Sequence, residues 1–287
     1  MIQDILPHHL DNRYRPDAVP RSGDPVFILR GRELALRRRD EALHLPEAQE
    51  FAGASMQFLF SFDGKGCFLL QEDPSKGSAL PEDLAFYEVR SLRRSPGASR
   101  ELTFSAFTAL QLASWYRDNV YCGTCGSLTR PGTAERSLVC PSCGRTIYPR
   151  VIPAVIVGVI HGDYLLHTRY ERSRGVPFYA LVAGFTEIGE TLEETVAREV
   201  MEETGLAVKN IRYFKSQPWG IADDILAGFY CDVEGSTTIR LDTSELCEGV
   251  WIHRRDIQGQ PDDSSLTNHM MLTFRDGLEP RGFSLPE

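Results

Sequence analysis

Gly184-Phe-Thr-Glu-Ile-Gly-Glu190-Thr-Leu-Glu-Glu-Thr-Val-Ala-Arg198-Glu199-Val-Met-Glu202-Glu203-Thr-Gly205-Leu206 gathers glutamates, an arginine and spaced glycines into one loop-helix unit. Thr191 is an N-cap with Glu194 completing a capping box, and Gly205 sits where a helix stops in a left-handed turn, so a helix is predicted over about Leu192 to Thr204. At about 100° per residue, Glu199, Glu202 and Glu203 share one arc, beside a packing arc of Val196, Ala197, Val200 and Met201. Three carboxylates so close repel unless a cation compensates them, and a hard cation with oxygen ligands, Mg²⁺ or Mn²⁺, is the natural partner. Such cations neutralise a diphosphate and orient an attacking water. Arg198 falls outside the acidic arc and is read as orienting a carboxylate or the Gly184 to Gly189 loop.

The chain of 287 residues is long enough for two cores, and 42% hydrophobic with 25% charged residues is the composition of a globular protein. The longest apolar run, Val151 to Ile160, is half of what a bilayer requires, so no membrane span is expected. The opening MIQDILPHHLDNRYR has no basic region followed by an apolar run, and a cytoplasmic location is expected. A net charge of -9 argues against broad electrostatic capture of nucleic acid.

Strands are expected at Asp24 to Leu36, Met56 to Glu72 with an Asp63-Gly64 turn, and Phe86 to Leu92, then a helix at Ser105 to Asn119. Strands follow at Val151 to Ile160, Tyr164 to Tyr170, Tyr179 to Phe185, Ile211 to Phe214, Ile225 to Val233 and Gly249 to His253, with a last helix at Ser264 to Arg275. Between the halves, Cys122-Gly-Thr-Cys125-Gly and Cys140-Pro-Ser-Cys143-Gly are two CxxC knuckles 14 residues apart. Four thiolates at this spacing close a tetrahedron around a structural Zn²⁺. Cys67, Cys231 and Cys247 are expected to pack in the core.

The box matches all nine fixed positions of GX5EX7REUXEEXGU, with U apolar, and the chain thereby resembles the Nudix hydrolase superfamily. The resemblance implies an α+β chain whose Nudix domain, 150–287, is an α/β/α sandwich, preceded by a β-rich domain at 1–119 and the ribbon at 120–149. It implies catalytic roles for Glu199, Glu202, Glu203, Arg198 and Glu190, and Mg²⁺ or Mn²⁺ ligands at Ala183, Glu199, Glu202, Glu203 and Glu248. Ser216-Gln217-Pro218-Trp219 downstream, with the ribbon, is similar to the NADH pyrophosphatase branch. That likeness implies hydrolysis of NAD(H) to NMN(H) and AMP, extension to NAD caps on RNA 5′ ends, and a homodimer. It places Phe185, Tyr148, Glu135, Gln217, Trp219 and Asp224 at the substrate.

After SQPW the branch continues PFPxS, whereas here Gly220-Ile-Ala-Asp223-Asp224 follows. Two carboxylates repel phosphates, and Gly220 gives the loop more freedom than proline, so a different dinucleotide, ADP-ribose or another nucleotide sugar is the alternative substrate. A non-catalytic nucleotide sensor is the reading from another class, opposed by the complete set of glutamates.

Overall fold

The computed structural model describes residues 1–71, 80–170 and 178–281. The chain divides into two compact units, one of residues 2–150 with Gly220–Asp223, the other of residues 151–219 and the chain from Asp224 on, with Met1.

The first unit is built from short strands. β1 (Leu10–Asp11), β2 (Val26–Phe27), β6 (Met56–Phe62) and β7 (Lys65–Leu70) form a sheet in the order β1-β6-β7-β2, with only β2 and β7 parallel. β3 (Leu29–Arg30), β5 (Ala42–His44) and β8 (Leu84–Glu88) each pair antiparallel with β4 (Glu33–Arg39). The expected strand over Asp24 to Leu36 is thus three pieces, because the chain passes from one sheet to the other at Ile28 and then turns at Gly31 with φ 61°. Asp63 and Gly64 both take positive φ, the requirement of a two-residue hairpin turn, and Glu72 of the expected second strand lies outside the described residues. The segment read as Phe86 to Leu92 is strand only to Glu88 and then a 3₁₀ turn over Val89–Arg94. Helix α1 (Arg100–Asp118) starts five residues before the expected Ser105, because Ser99 Oγ caps it by accepting from Leu102 N–H. The ribbon strands β9 (Arg130–Pro131), β10 (Leu138–Val139) and β11 (Thr146–Ile147) follow in antiparallel order β11-β10-β9.

The second unit has one six-stranded mixed sheet. Its strands are β12 (Ile152–His161), β13 (Tyr164–Tyr170), β14 (Val182–Phe185), β15 (Ala207–Trp219), β16 (Asp224–Glu234) and β17 (Leu246–His253). The order is β15-β16-β12-β13-β17, with β14 also paired to β12, and β12 runs parallel to β16. Helix α2 (Leu192–Thr204) covers one face and α3 (Leu266–Arg275) the other. The register of β12 shows why its run is apolar throughout: Val155, Val157 and Val159 pack with Val196 and Val200 of α2, while Ile156 and Ile160 pack with Leu266, Met270 and Phe274 of α3. The fold is the expected α+β sandwich of three layers. Strand β15 runs far beyond the expected Ile211 to Phe214, because its exposed charged residues hide its pairing with β16.

Candidate active site and ribbon

Helix α2 is set by its ends. Thr191 Oγ1 accepts from Glu194 N–H at 3.2 Å, Glu194 Oε2 accepts from Thr191 N–H at 2.7 Å, and Gly205 closes the helix at φ 68°. Half of the expected packing arc is instead exposed: Ala197 and Met201 face solvent, and Thr195, Glu203 and Thr204 join Val196 and Val200 in burial. The sheet contacts the helix one step round from the position that hydrophobicity alone marks.

Gly184 explains the first fixed position of the box. A Cβ there would lie 2.0 Å from the carboxyl carbon of Glu199 and 2.1 and 2.3 Å from its oxygens, so the Glu199 carboxyl rests directly on the backbone of β14. Arg198 sits at the centre of the acidic groups despite its place on the wheel, because its long side chain reaches back across the turn. Its Nε and Nη2 donate to the two oxygens of Glu190 at 2.6 and 2.9 Å, its Nη1 donates to Glu199 and Glu202 at 2.8 and 2.9 Å, and its Nη2 donates to Phe185 O at 2.9 Å. Arg198 holds the Glu190 carboxyl down at about 2, helped by Glu187 N–H and Thr195 Oγ1. Burial pushes Glu199 up, the Arg198 guanidinium opposes this, and the charges of Glu202 and Glu245 push it further up.

Glu202 is exposed, whereas Glu203 is 3% exposed. Among the described residues, only the four cysteines bring three or more Cys, His, Asp or Glu donor atoms within 4.8 Å of one another. The glutamates, drawn between Arg198 and the buried side of α2, do not meet that spacing. Ala183 is half-buried opposite Ile156, and Phe185 beside it is 51% exposed. Glu248 is engaged elsewhere: Tyr179 Oη donates to it at 2.9 Å and Arg169 Nη1 pairs with it at 3.1 Å. The carboxylate of this region whose charge acts on Glu199 is Glu245, which sequence reading passed over. Its only signal was position, three residues before Glu248 on the approach to β17.

The donor set near Glu199 fits a hard divalent cation. All side-chain donors are carboxylate oxygens, and burial already resists the ionised form of Glu199, a penalty that a bound cation removes.

SQPW is strand, not loop. Gln217 is fully buried, its Nε2 donating to Ser264 O at 2.8 Å and its Oε1 accepting from Leu266 N–H at 2.7 Å, so its amide holds the start of α3. Trp219 is half-buried, and Asp224, opposite it in the register, is 6% exposed. The expected freedom at Gly220 is absent, since the residue is buried and a Cβ would meet Phe107 O at 2.3 Å. Glycine is needed there for close approach. Asp223 is paired with Arg150 at 2.9 Å, so its charge is compensated.

In the ribbon, Cys122 and Cys143 sulfurs lie 3.6 Å apart and those of Cys125 and Cys140 3.4 Å apart. A tetrahedron of thiolates about 2.3 Å from Zn²⁺ has edges of roughly 3.8 Å, so the group fits. Gly126 and Gly144, both at φ 75°, turn each knuckle back on its first cysteine. The N–H of Thr124 lowers Cys122 to about 6; Arg145 N–H acts to lower Cys143, but the neighbouring Cys140 and Cys125 thiols push it up to about 12. Thiols this crowded resist a second negative charge, which a cation among them would compensate. Tyr148, 56% exposed, donates from Oη to Glu135 at 2.7 Å. Cys67 and Cys231 are buried as expected, whereas Cys247 is exposed, its thiol facing Arg169 O and Tyr170 O where the β13–β17 register shifts. No helix among the described residues is long and apolar enough to cross a membrane.

A three-layer sandwich carrying this glutamate and arginine constellation defines a hydrolase of the Nudix class. The chain belongs to the Nudix hydrolase family, its residues 149–270 matching the NUDIX domain and 117–148 the NADH pyrophosphatase zinc ribbon domain. It is 36% identical over 232 residues to the NAD-capped RNA hydrolase NudC of Photorhabdus laumondii, covering 81% of this chain and 89% of that protein. To the NAD-capped RNA hydrolase NudC of Enterobacter sp. strain 638 it is 38% identical over 184 residues, 64% of this chain and 70% of that protein. Among solved structures, a NUDIX hydrolase from Nitrosomonas europaea aligns at TM-score 0.43 and 20% identity over 54% of this chain and 90% of that one.

Proposed function

We propose that this protein hydrolyses the diphosphate bond of NAD(H), releasing NMN(H) and AMP, and removes NAD caps from RNA 5′ ends. The observation that carries the reading is one chain holding both the complete box and the ribbon while spanning 89% of an NAD-capped RNA hydrolase at 36% identity. Asp223 is paired with Arg150, so its charge does not stand uncompensated against a diphosphate.

In this proposal Glu199, Glu202, Glu203, the Ala183 carbonyl and Glu245, in place of Glu248, hold Mg²⁺ or Mn²⁺. Bound there, the metal supplies charge neutralisation for the diphosphate and a water of lowered pKa. Arg198 keeps the carboxylates and the Phe185 carbonyl fixed, and Glu190 anchors Arg198, so both act as positioning groups. The exposed ring of Phe185 offers a face for stacking a base of the dinucleotide. Gln217 acts through the start of α3 and not on substrate. The four ribbon cysteines hold a structural zinc. A cytoplasmic homodimer completes the proposal.

Purified protein incubated with NADH, NAD-capped RNA or ADP-ribose, each with Mn²⁺ or Mg²⁺, tests it. NMNH with AMP from NADH and a 5′-monophosphate RNA from capped RNA are expected. Turnover of ADP-ribose alone overturns the NAD(H) assignment, and a monomer by sedimentation overturns the dimer.

A further inference from the structure

One strip of the second unit lies outside the constellation described above. Residues 236–241, neither helix nor strand, pass over β17, with Ile239 and Leu241 against Gly249, where a Cβ would stand 3.3 and 2.7 Å from them. Ser236, Thr238 and Arg240 alternate with them and are exposed. One end is tied to the box helix, Arg240 N–H donating to Thr204 O and Asp242 N–H to Glu203 O. The other end is tied to Trp251, whose Nε1 donates to Thr237 O at 3.0 Å.

At that second end an open cavity of about 560 Å³ is lined by Tyr164, Trp251, Ile252, His253, Arg255 and Asp256. Tyr164 is 42% exposed and meets His253 edge-on, and His161 meets Trp251 edge-on. Arg254 is consumed by Asp163, Glu279 and Phe274 O. Among the described residues, the Arg240 and Arg255 guanidinium groups have no carboxylate partner.

We infer that this strip and cavity bind the RNA chain that follows a capped 5′ end, an inference that rests on the cap-removal reading above. Unpaired guanidinium groups and hydroxyls suit a phosphate backbone, and a cavity walled by aromatic rings suits unstacked bases without sequence preference. Asp256 is the one carboxylate of the cavity and directs the backbone to the Arg255 side. A protein of net charge -9 would in this way hold RNA through a local contact instead of a general field.

The test compares wild type with Arg240→Glu, Arg255→Glu, Tyr164→Ala and the milder Arg240→Ala and Arg255→Ala, all at exposed positions. KM for a ten-nucleotide NAD-capped RNA should rise about tenfold or more in the Glu variants, with kcat unchanged and NADH kinetics within twofold. The salt slope of RNA binding should fall by about 0.7 for each phosphate that is no longer neutralised. Anisotropy with a ten-nucleotide RNA bearing a 5′-monophosphate reads the strip without cap chemistry, and should weaken in parallel. Unchanged RNA affinity and KM in both Glu variants, or an equal loss on NADH, overturns the inference. Absence of NADH hydrolysis in the wild type with RNA binding intact overturns the functional reading alone.

Discussion

Gly184→Ala is the substitution that most directly tests how the box works. The new Cβ would stand 2.0 to 2.3 Å from three atoms of the Glu199 carboxyl, against a limit of 3.0 Å below which such contacts are not tolerated. Glu199 must therefore retreat by about 1 Å or swing away from β14. A reacting group misplaced by 1 Å costs on the order of 100-fold, or roughly 2.7 kcal/mol of barrier. Gly184 does not have positive φ, so alanine is compatible with the backbone and the fold should survive with a modest fall in Tm. The assay is steady-state hydrolysis of NADH at saturating Mn²⁺, with Tm and calorimetric Mn²⁺ titration in parallel and Glu199→Gln as a reference. Turnover should fall about 100-fold and Mn²⁺ affinity should weaken, with Tm within several degrees of wild type. Turnover within threefold of wild type would refute the claim that Glu199 must rest on β14 to act.

Three further outcomes follow from named contacts. Stripping zinc with a strong chelator, or Cys125→Ser, should lower Tm by about 10 °C or more, because formation of a four-thiolate site is coupled to folding; zinc-free protein with the original Tm would oppose a structural role. Arg37, nearly buried, donates to both Glu50 and Asp83 and holds both carboxyls below their usual range. Carboxyls lowered by folding stabilise the protein above their unfolded values and lose that contribution as pH falls through the folded ones, so stability should drop below about pH 4, and Arg37→Met should flatten that acid limb in pH-dependent melts. Glu245→Gln should weaken Mn²⁺ binding more than Glu248→Gln does, in metal titrations of the two variants; the reverse order would return the ligand role to Glu248.

The box and the ribbon were legible in the sequence because each is local. Thr191, Glu194 and Gly205 set the ends of α2 within a few residues, and two CxxC turns present their sulfurs wherever the chain places them. The apolar run of β12 announced a strand covered on both faces for the same reason. What the sequence left open belongs to contacts between distant segments. The wheel put Arg198 apart from the glutamates, but side-chain length and the return of the Gly184 loop bring five acceptors to it. Hydrophobicity placed Met201 inside, yet the angle at which α2 meets the sheet buries Glu203 instead. Cys247 read as core and lies exposed where two strands slip register. Gln217, placed at the substrate by resemblance, is buried and braces the start of α3, and Gly220, read as a freer loop position, is a point of close backbone approach. The choice between Glu245 and Glu248 turns on which one the path into β17 directs toward α2. Spacing along the chain fixes local shape because few dihedral angles are involved, whereas register, crossing angle and loop return depend on the packing of the whole sheet, which no short window of residues contains.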